Sequence, residues 1–194
     1  MRSLASGKRV LNLFAYTCGV GVAAARAGAA HVLNVDFASS ALAVGARNAE
    51  ANGLGKGRFA TLASDCIPVL RQLAGLPVQR ARQRRPFAAM APQAFDLVFL
   101  DPPRWAKGPF GAIDVVRDYG SLWKPCLLAL APGGTAIATN HVAEVDAEHW
   151  MSGLRRSAEK AGRPLQSLAC HGPEADFPSL DGRPPLKIAI ATIA

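Results

Sequence analysis

Short apolar runs and stretches of helical periodicity take turns along this chain. Val10, Leu11, Leu13 and Phe14 form a run that can be buried on both faces, as a central parallel strand requires. A turn over Ala15–Gly21 leads into a small-residue helix, Val22–Ala27, which Gly28 ends. Val32, Leu33 and Val35 predict a second strand closed by Asp36, and Ser39 is the expected N-cap of a helix over Ala41–Asn52 stopped by Gly53. Arg58–Leu62 predicts a third strand, with Asp65 just beyond it. Cys66–Leu73 carries Ile67, Val69, Leu70 and Leu73 at helical spacing. Phe95–Leu100 is the clearest strand and runs straight into Asp101-Pro102-Pro103, where the prolines enforce a rigid exit. A loop is expected to follow through Gly111, then a helix over Val115–Leu130 kinked at Pro125. A fifth strand follows over Thr135–Thr139, ending at Asn140-His141. Asp146–Gly162 predicts an amphipathic helix, and Leu165–Cys170 and Leu186–Ile193 two last strands joined by a proline-rich loop. Met1–Lys8 is too short to count as an element. Strands alternating with helices imply a parallel sheet covered on both faces, and the final pair adds an antiparallel strand at one edge.

Length and composition narrow the class. The 194 residues fit one domain, 1–194, with a full core. No run approaches the ~20 apolar residues of a membrane span, and the N-terminus lacks the apolar segment of a signal peptide. The cysteines at 18, 66, 126 and 170 fit neither a zinc site nor a disulfide framework. That pattern predicts no metal, reduced thiols and a cytoplasmic protein. A net charge of +8 favours an anionic partner, nucleic acid first, although a basic proteome would give the same balance. Residues 75–94 break the strand–helix alternation. They hold Arg80, Arg82, Arg84 and Arg85, and no acid occurs between Cys66 and Phe95. This is read as a basic surface insertion, either a solvated loop or an RNA contact.

The candidate chemistry sits at strand ends, where open α/β sheets bind ligands. Gly19 and Gly21 allow a close backbone approach and positive φ, and Asp36 stands where an acid takes the hydroxyls of a ribose. Gly19–Ala24 matches a relaxed dinucleotide fingerprint, with Asp36 seventeen residues after Gly19. A pyrophosphate, however, needs the first glycine close to the strand end, and here Ala15-Tyr16-Thr17-Cys18 intervene. S-adenosylmethionine has no phosphate. It needs polar loop atoms for its methionine end, an acid for the ribose and a polar group for the adenine amine. Thr17 with Gly19, Asp36, and Asp65 supply these in strand order.

Four segments, LNLFAYTCGVG, NVDFASSALAVGARNAEANG, FDLVFLDPPRWAKG and LAPGGTAIATN, resemble the class I S-adenosylmethionine-dependent methyltransferases. They are most similar to the bacterial 23S ribosomal-RNA large-subunit methyltransferase group, over about Val10–Ile193. The resemblance implies a Rossmann-like, doubly wound, mostly parallel seven-stranded sheet in the order 3-2-1-4-5-7-6, with the cofactor laid across strands 1, 2 and 4. It implies that Phe14, Ala15, Tyr16, Thr17 and Gly19 line the methionine end. Asp36 with Phe37 would hold the ribose region, and Asp65 with Cys66 the adenine. Asp101, Pro102 and Pro103 would face the methyl group and the acceptor. S-adenosyl-L-homocysteine would be the product, and ribosomal RNA the partner, with no membrane; monomer and homodimer both stay open.

Two departures from the group shape the chemistry expected. Relatives carry an upstream segment, often an RNA-binding domain, whereas this sequence starts a few residues before strand 1, so acceptor recognition is expected to be incomplete. Members that make 5-methylcytosine carry a cysteine after strand 5, where this chain has Thr139-Asn140-His141. Methylating an aromatic carbon usually needs a thiolate to add to the ring first. The Asn-bearing turn therefore points to in-line transfer to a nitrogen, with Asp101 accepting a hydrogen bond or a proton from the base. Trp105 offers a stacking surface for a base, although a lone Trp more commonly plugs its loop onto the protein body. His141 is read as a surface or capping residue, with a proton-handling role as the alternative. The competing functions are a small-molecule or protein methyltransferase, an NAD-dependent oxidoreductase, and a non-catalytic cofactor- or RNA-binding module.

Overall fold

Strand β1 (Arg9–Leu13) is buried at every position but its first, which places it in the middle of a sheet. The computed structural model describes residues 2–55, 57–78, 89–108, 111–174, 177, 179 and 185–194. The arginines at 80, 82, 84 and 85, and with them the heart of the expected basic insertion, lie outside these residues. On either side of β1 run β2 (His31–Asp36) and β4 (Phe95–Leu100), both parallel to it, with β3 (Phe59–Ala63) parallel beyond β2. Strand β7 (Leu130–Asn140) lies parallel to β4. Next comes β9 (Lys187–Ile193), antiparallel both to β7 and to β8 (Leu165–His171), which closes the sheet. The order is β3-β2-β1-β4-β7-β9-β8. Counted without the separate hairpin described below, this is the 3-2-1-4-5-7-6 sheet expected, with the reversed strand set between β7 and the edge strand.

Two cores lie on the two faces. One gathers Leu11, Leu13, Leu70, Phe95, Leu122, Trp123, Leu127 and Leu154 under α4 (Cys66–Leu73), α5 (Gly120–Leu128) and α6 (Ala147–Lys160). Each fully buried leucine there contributes about 1.5–3 kcal/mol relative to exposure. The indole of Trp123 is fully buried and donates to the carbonyl of Leu154 at 3.1 Å, so this side chain leaves no polar atom unpaired. The other core is built from small residues, including Ala24, Ala25, Ala29 and Ala49, under α2 (Gly19–Arg26) and α3 (Ser39–Ala51).

Several local expectations are corrected. Residues 2–5 do form an element, the single-turn helix α1 (Arg2–Ala5), because Ala5 is buried against the small-residue core. Ala38, not Ser39, is the N-cap of α3; no side chain caps that helix, and Ser39 is its first residue. The long helix expected from Val115 is only α5. The stretch before it, expected as loop, forms the antiparallel hairpin β5 (Trp105–Gly108) and β6 (Gly111–Asp114). Asp114 then turns the chain, its carboxylate accepting from the amide of Val116 at 3.0 Å.

Candidate functional site

Strand register brings the candidate residues to one rim. Leu13 pairs with Val35 on one side and Leu100 on the other, and Leu100 pairs with Ala138. The residues that follow these, Phe14, Asp36, Asp101 and Thr139, therefore leave the sheet side by side. Asp36 pairs in turn with Ala63, so Asp65 stands just past the same edge.

The turn after β1 is built from three non-glycine residues in the left-handed region, Phe14 (φ 57°), Tyr16 (φ 47°) and Cys18 (φ 60°). Each such residue costs on the order of 1 kcal/mol or more, and the surroundings hold each in place. The amide of Phe14 donates to Sγ of Cys66 at 3.3 Å, and that of Tyr16 to Oδ2 of Asp36 at 2.8 Å. Cys18 donates its amide to the carbonyl of Ala15 at 2.7 Å. The expectation that Gly19 and Gly21 supply the positive φ is overturned, since both sit in helix α2 outside that region. Gly21 answers a packing demand: a Cβ there would lie 1.9 Å from Oδ1 of Asn34. That oxygen belongs to a buried ladder, accepting from Asn12 Nδ2 at 2.9 Å while Asn34 Nδ2 donates to the carbonyl of Ala60 at 3.1 Å. Gly45 of α3 is fitted in the same way against Cys18, where a Cβ would meet Sγ at 2.4 Å.

Asp36 is only 6% exposed. Its Oδ1 accepts from the amide of Ala38 at 2.8 Å and its Oδ2 from Tyr16, so each oxygen keeps acceptor capacity for a further donor. Beside it Phe37 is 77% exposed and Tyr16 69% exposed, which leaves two aromatic surfaces standing over the rim. Asp65 caps α4 through Oδ1, which accepts from the amide of Ile67 at 2.9 Å. Its Oδ2 is buried and has no partner among the described residues. Burial raises the Asp65 carboxyl above its ordinary value, against the opposing bond from Ile67. A buried acceptor without a donor is costly, and it fits an amine such as that of adenine. Cys66, also expected at the adenine, turns its thiol inward and donates to the carbonyl of Val35 at 3.4 Å. Any contact it makes with a cofactor falls to its main chain.

Asp101 leaves β4 into the Pro102-Pro103 turn and meets the end of β7. Its Oδ1 accepts from the hydroxyl of Thr139 and lies 2.7 Å from Nε2 of His141. No described residue bonds Oδ2. Partial burial works to raise the Asp101 carboxyl, but the bonds from His141 and Thr139 outweigh it and hold the group below its ordinary value. The bond to Asp101 raises His141 above its ordinary value, against burial and the nearby charge of Lys187. Thr139 is clamped from behind, since the buried Tyr119 donates its hydroxyl to the Thr139 carbonyl at 2.9 Å. Asn140, expected at the reactive position, is instead 1% exposed, and its Oδ1 accepts from the amide of Val142 at 2.9 Å. It shapes the turn while its neighbours on either side reach Asp101. His141 is exposed, as the surface reading expects, and its imidazole also reaches Asp101. The available signal was period two: Thr139 and His141 share a face that Asn140 does not.

The thiols do not converge on Asp101. Burial pushes Cys18 up to about 11 and Cys66 to about 12, and Cys126 higher still, so all three are protonated at neutral pH. Cys170 is exposed on β8, but β7 and β9 separate it from β4, roughly 14 Å at the usual strand spacing. Trp105 is 60% exposed and does not plug its loop onto the body. Arg104, between it and the prolines, pairs with Glu144 at 3.1 Å and links the loops that follow β4 and β7. Among the described residues no group of three His, Cys, Asp or Glu side chains could hold a metal, and no helix is long and apolar enough to cross a membrane.

Comparison with known proteins bears on the family and the fold. The sequence profile of the family described as S-adenosylmethionine-dependent methyltransferase matches residues 1–188. The chain is 37% identical over 142 residues to the ribosomal RNA large subunit methyltransferase K/L of Allochromatium vinosum, an alignment covering 72% of this chain and 17% of that protein. It is 31% identical over 172 residues to the ribosomal RNA large subunit methyltransferase I of Aeromonas hydrophila, covering 89% of this chain and 40% of that protein. The chain therefore spans less than half the length of these relatives. Among solved structures it matches SMU.776, a proposed methyltransferase complexed with SAH, with a TM-score of 0.72 and 26% identity over 96% of this chain and 46% of that one.

Proposed function

We propose, from the premise that this chain belongs to the S-adenosylmethionine-dependent methyltransferase family, that it transfers the methyl group to a nitrogen of a ribosomal RNA base. The observation that carries this reading is the cluster of Asp101, Thr139 and His141, a carboxylate with one oxygen that no described residue bonds and no thiol bonded to it. The bound cofactor supplies an electrophilic methyl group on a sulfonium. What the chain supplies is placement and charge. Asp36 accepts from the ribose hydroxyls, Phe37 covers that region, and Oδ2 of Asp65 accepts from the adenine amine. The turn over Phe14, Ala15, Tyr16, Thr17 and Gly19 surrounds the methionine end. Asp101 presents Oδ2 to the acceptor, with Pro102 and Pro103 fixing the carbonyls next to it. As the methyl group arrives, the nitrogen becomes positive or sheds a proton, and a carboxylate at that point favours either outcome.

A carbon acceptor would need a thiolate, and the protonated Cys18, Cys66 and Cys126 and the distant Cys170 argue against one. The names of the relatives and the charge of +8 support an RNA acceptor. The test is incubation with methyl-labelled S-adenosylmethionine and deproteinised large-subunit ribosomal RNA, followed by digestion and mass spectrometry of the nucleosides. Label in an N-methylated nucleoside is expected. Label in a 5-methylpyrimidine would overturn the nitrogen assignment, and unlabelled RNA would overturn the acceptor class.

A further inference from the structure

The carboxylate at the heart of this site is not free to turn. Two donors, the Thr139 hydroxyl and Nε2 of His141, converge on the same oxygen, Oδ1, and no described residue touches Oδ2. Thr139 Oγ1 and His141 Nε2 also lie 3.4 Å apart, so the three side chains form a closed triangle. The triangle is supported from every side. Tyr119 holds the Thr139 carbonyl from below. The buried Asn140 fixes the turn between Thr139 and His141. Lys187, at the start of β9, donates to the carbonyls of Val142 and Pro185, both at 2.8 Å, and closes the far side. His141 and Asp101 remain about half exposed, with side-chain accessibilities of 45% and 49%, so the imidazole can exchange protons with water.

We propose that His141 is a positioning residue for methyl transfer. Together with Thr139 it pins Oδ1 of Asp101 and aims Oδ2 at the acceptor, and by binding or losing its second proton it sets the net charge of the imidazole–carboxylate pair. This rests on the reading of Asp101 as the acceptor-facing carboxylate. Because Asp101 can only accept, Nε2 must carry a hydrogen in both charge states of His141. The orienting bond therefore survives deprotonation, which takes place at Nδ1. Only the charge changes: the pair is neutral with His141 protonated and carries −1 without that proton. A nitrogen that gains positive charge, or that must shed a proton, is served by the −1 state, so turnover rises with pH as His141 deprotonates. The charged groups that bear on this titration are Asp101 from the end of β4 and Lys187 from β9, with the Arg104–Glu144 pair bridging the neighbouring loops.

Two measurements test this. The first follows the His141 imidazole by NMR titration in the full chain with S-adenosylhomocysteine added, and it needs no acceptor. The midpoint should lie above the ordinary histidine value of about 6.5 and fall in Asp101→Asn. The same midpoint in both proteins would overturn the proposal. The second is the pH dependence of kcat on ribosomal RNA. The parent should gain roughly three- to tenfold across the His141 titration. His141→Gln, which keeps a donor but cannot ionise, should lose the rise. His141→Ala should lower kcat at every pH with little change in the KM for cofactor. A His141→Gln profile that superimposes on the parent's would overturn the proposal. Unchanged turnover in Asp101→Asn would instead remove the reading on which it rests, and the two failures are distinguishable.

Discussion

The main-chain amide of Tyr16 donates to Oδ2 of Asp36 at 2.8 Å, across twenty residues of sequence, and Tyr16 itself is left-handed at φ 47°. One carboxylate thus holds the turn proposed to surround the methionine end of the cofactor, and it is the same carboxylate proposed to take the ribose hydroxyls.

Asp36→Ala is expected to damage both. Removing a buried charged acceptor costs on the order of 1.5–3 kcal/mol, spread over fold stability and cofactor affinity. Calorimetric titration with S-adenosylhomocysteine, beside a thermal melt, separates the shares. A folded Asp36→Ala protein that binds the cofactor as tightly as the parent would remove Asp36 from the site.

The two glycines in the first turn of α2, Gly19 and Gly21, should behave differently. Gly21→Ala places a methyl group onto Asn34 Oδ1 and splits the Asn12–Asn34–Ala60 ladder, an overpacking expected to cost about 1–3 kcal/mol. At Gly19 a Cβ meets nothing within 4 Å, so Gly19→Ala should keep the parent's stability and report only on cofactor approach. Chemical denaturation of both variants checks this, and equal losses would contradict the packing role of Gly21.

Replacing all four cysteines with Ser or Ala should leave methyl transfer measurable while lowering stability. Cys66 is the costliest to lose, because its sulfur both accepts from Phe14 and donates to Val35. Single-turnover assays on the cysteine-free protein decide the matter. A variant that folds and binds cofactor but transfers nothing would restore carbon methylation.

Stability should follow the Asp101–His141 pair as pH changes. His141 is raised on folding, so its contribution is complete below its unfolded value of about 6.5 and is lost as pH climbs through the higher folded value. Asp101 is lowered on folding, so its contribution is complete above about 3.9 and is lost as pH falls through the lower folded value. The gap in Tm between the parent and Asp101→Asn should therefore be widest at about pH 4–6 and narrow on either side. Both groups are half exposed, so the gap is small. A gap that grows above pH 8 would contradict the pairing.

If Arg80, Arg82, Arg84 and Arg85 contact RNA phosphates, changing all four to Ala should weaken RNA binding and flatten its salt dependence. Each lost phosphate contact lowers the log–log slope by roughly 0.7–0.9. The same slope in variant and parent would identify the segment as solvated surface.

The strands and the rim were readable because they depend on local patterns, while the order of the strands came from the family resemblance. FDLVFL followed by Asp101 and two prolines can hardly be anything but a buried strand with an abrupt exit, and Asp36 ends a strand while Asp65 lies just beyond one. The hairpin at Trp105–Asp114 was harder to see, since its four-residue strands carry no alternation long enough to stand out from a glycine-bearing loop. The origin of the left-handed turn was hidden for another reason. Phe14, Tyr16 and Cys18 adopt φ values that their side chains disfavour, and the partners that hold them lie up to 52 residues away. The contact of His141 with Asp101 was not visible in the sequence because the two lie forty residues apart, and the parallel pairing of β4 with β7 brings them together.

The strained turn also bears on the order in which the protein is made. Phe14 waits for Cys66 and Tyr16 waits for Asp36, so within the first thirty residues the turn has the bond from the Cys18 amide to Ala15 but neither of these two anchors. A nascent chain emerging from the ribosome can build β1 and helix α2 and still have no pocket until β2 and the start of α4 have docked. Cofactor capture then becomes a checkpoint on completed folding. Once formed, the complex draws the equilibrium further toward the native state by mass action. Truncations that end before Cys66 should behave as folding intermediates without affinity for the cofactor, however native their first strand.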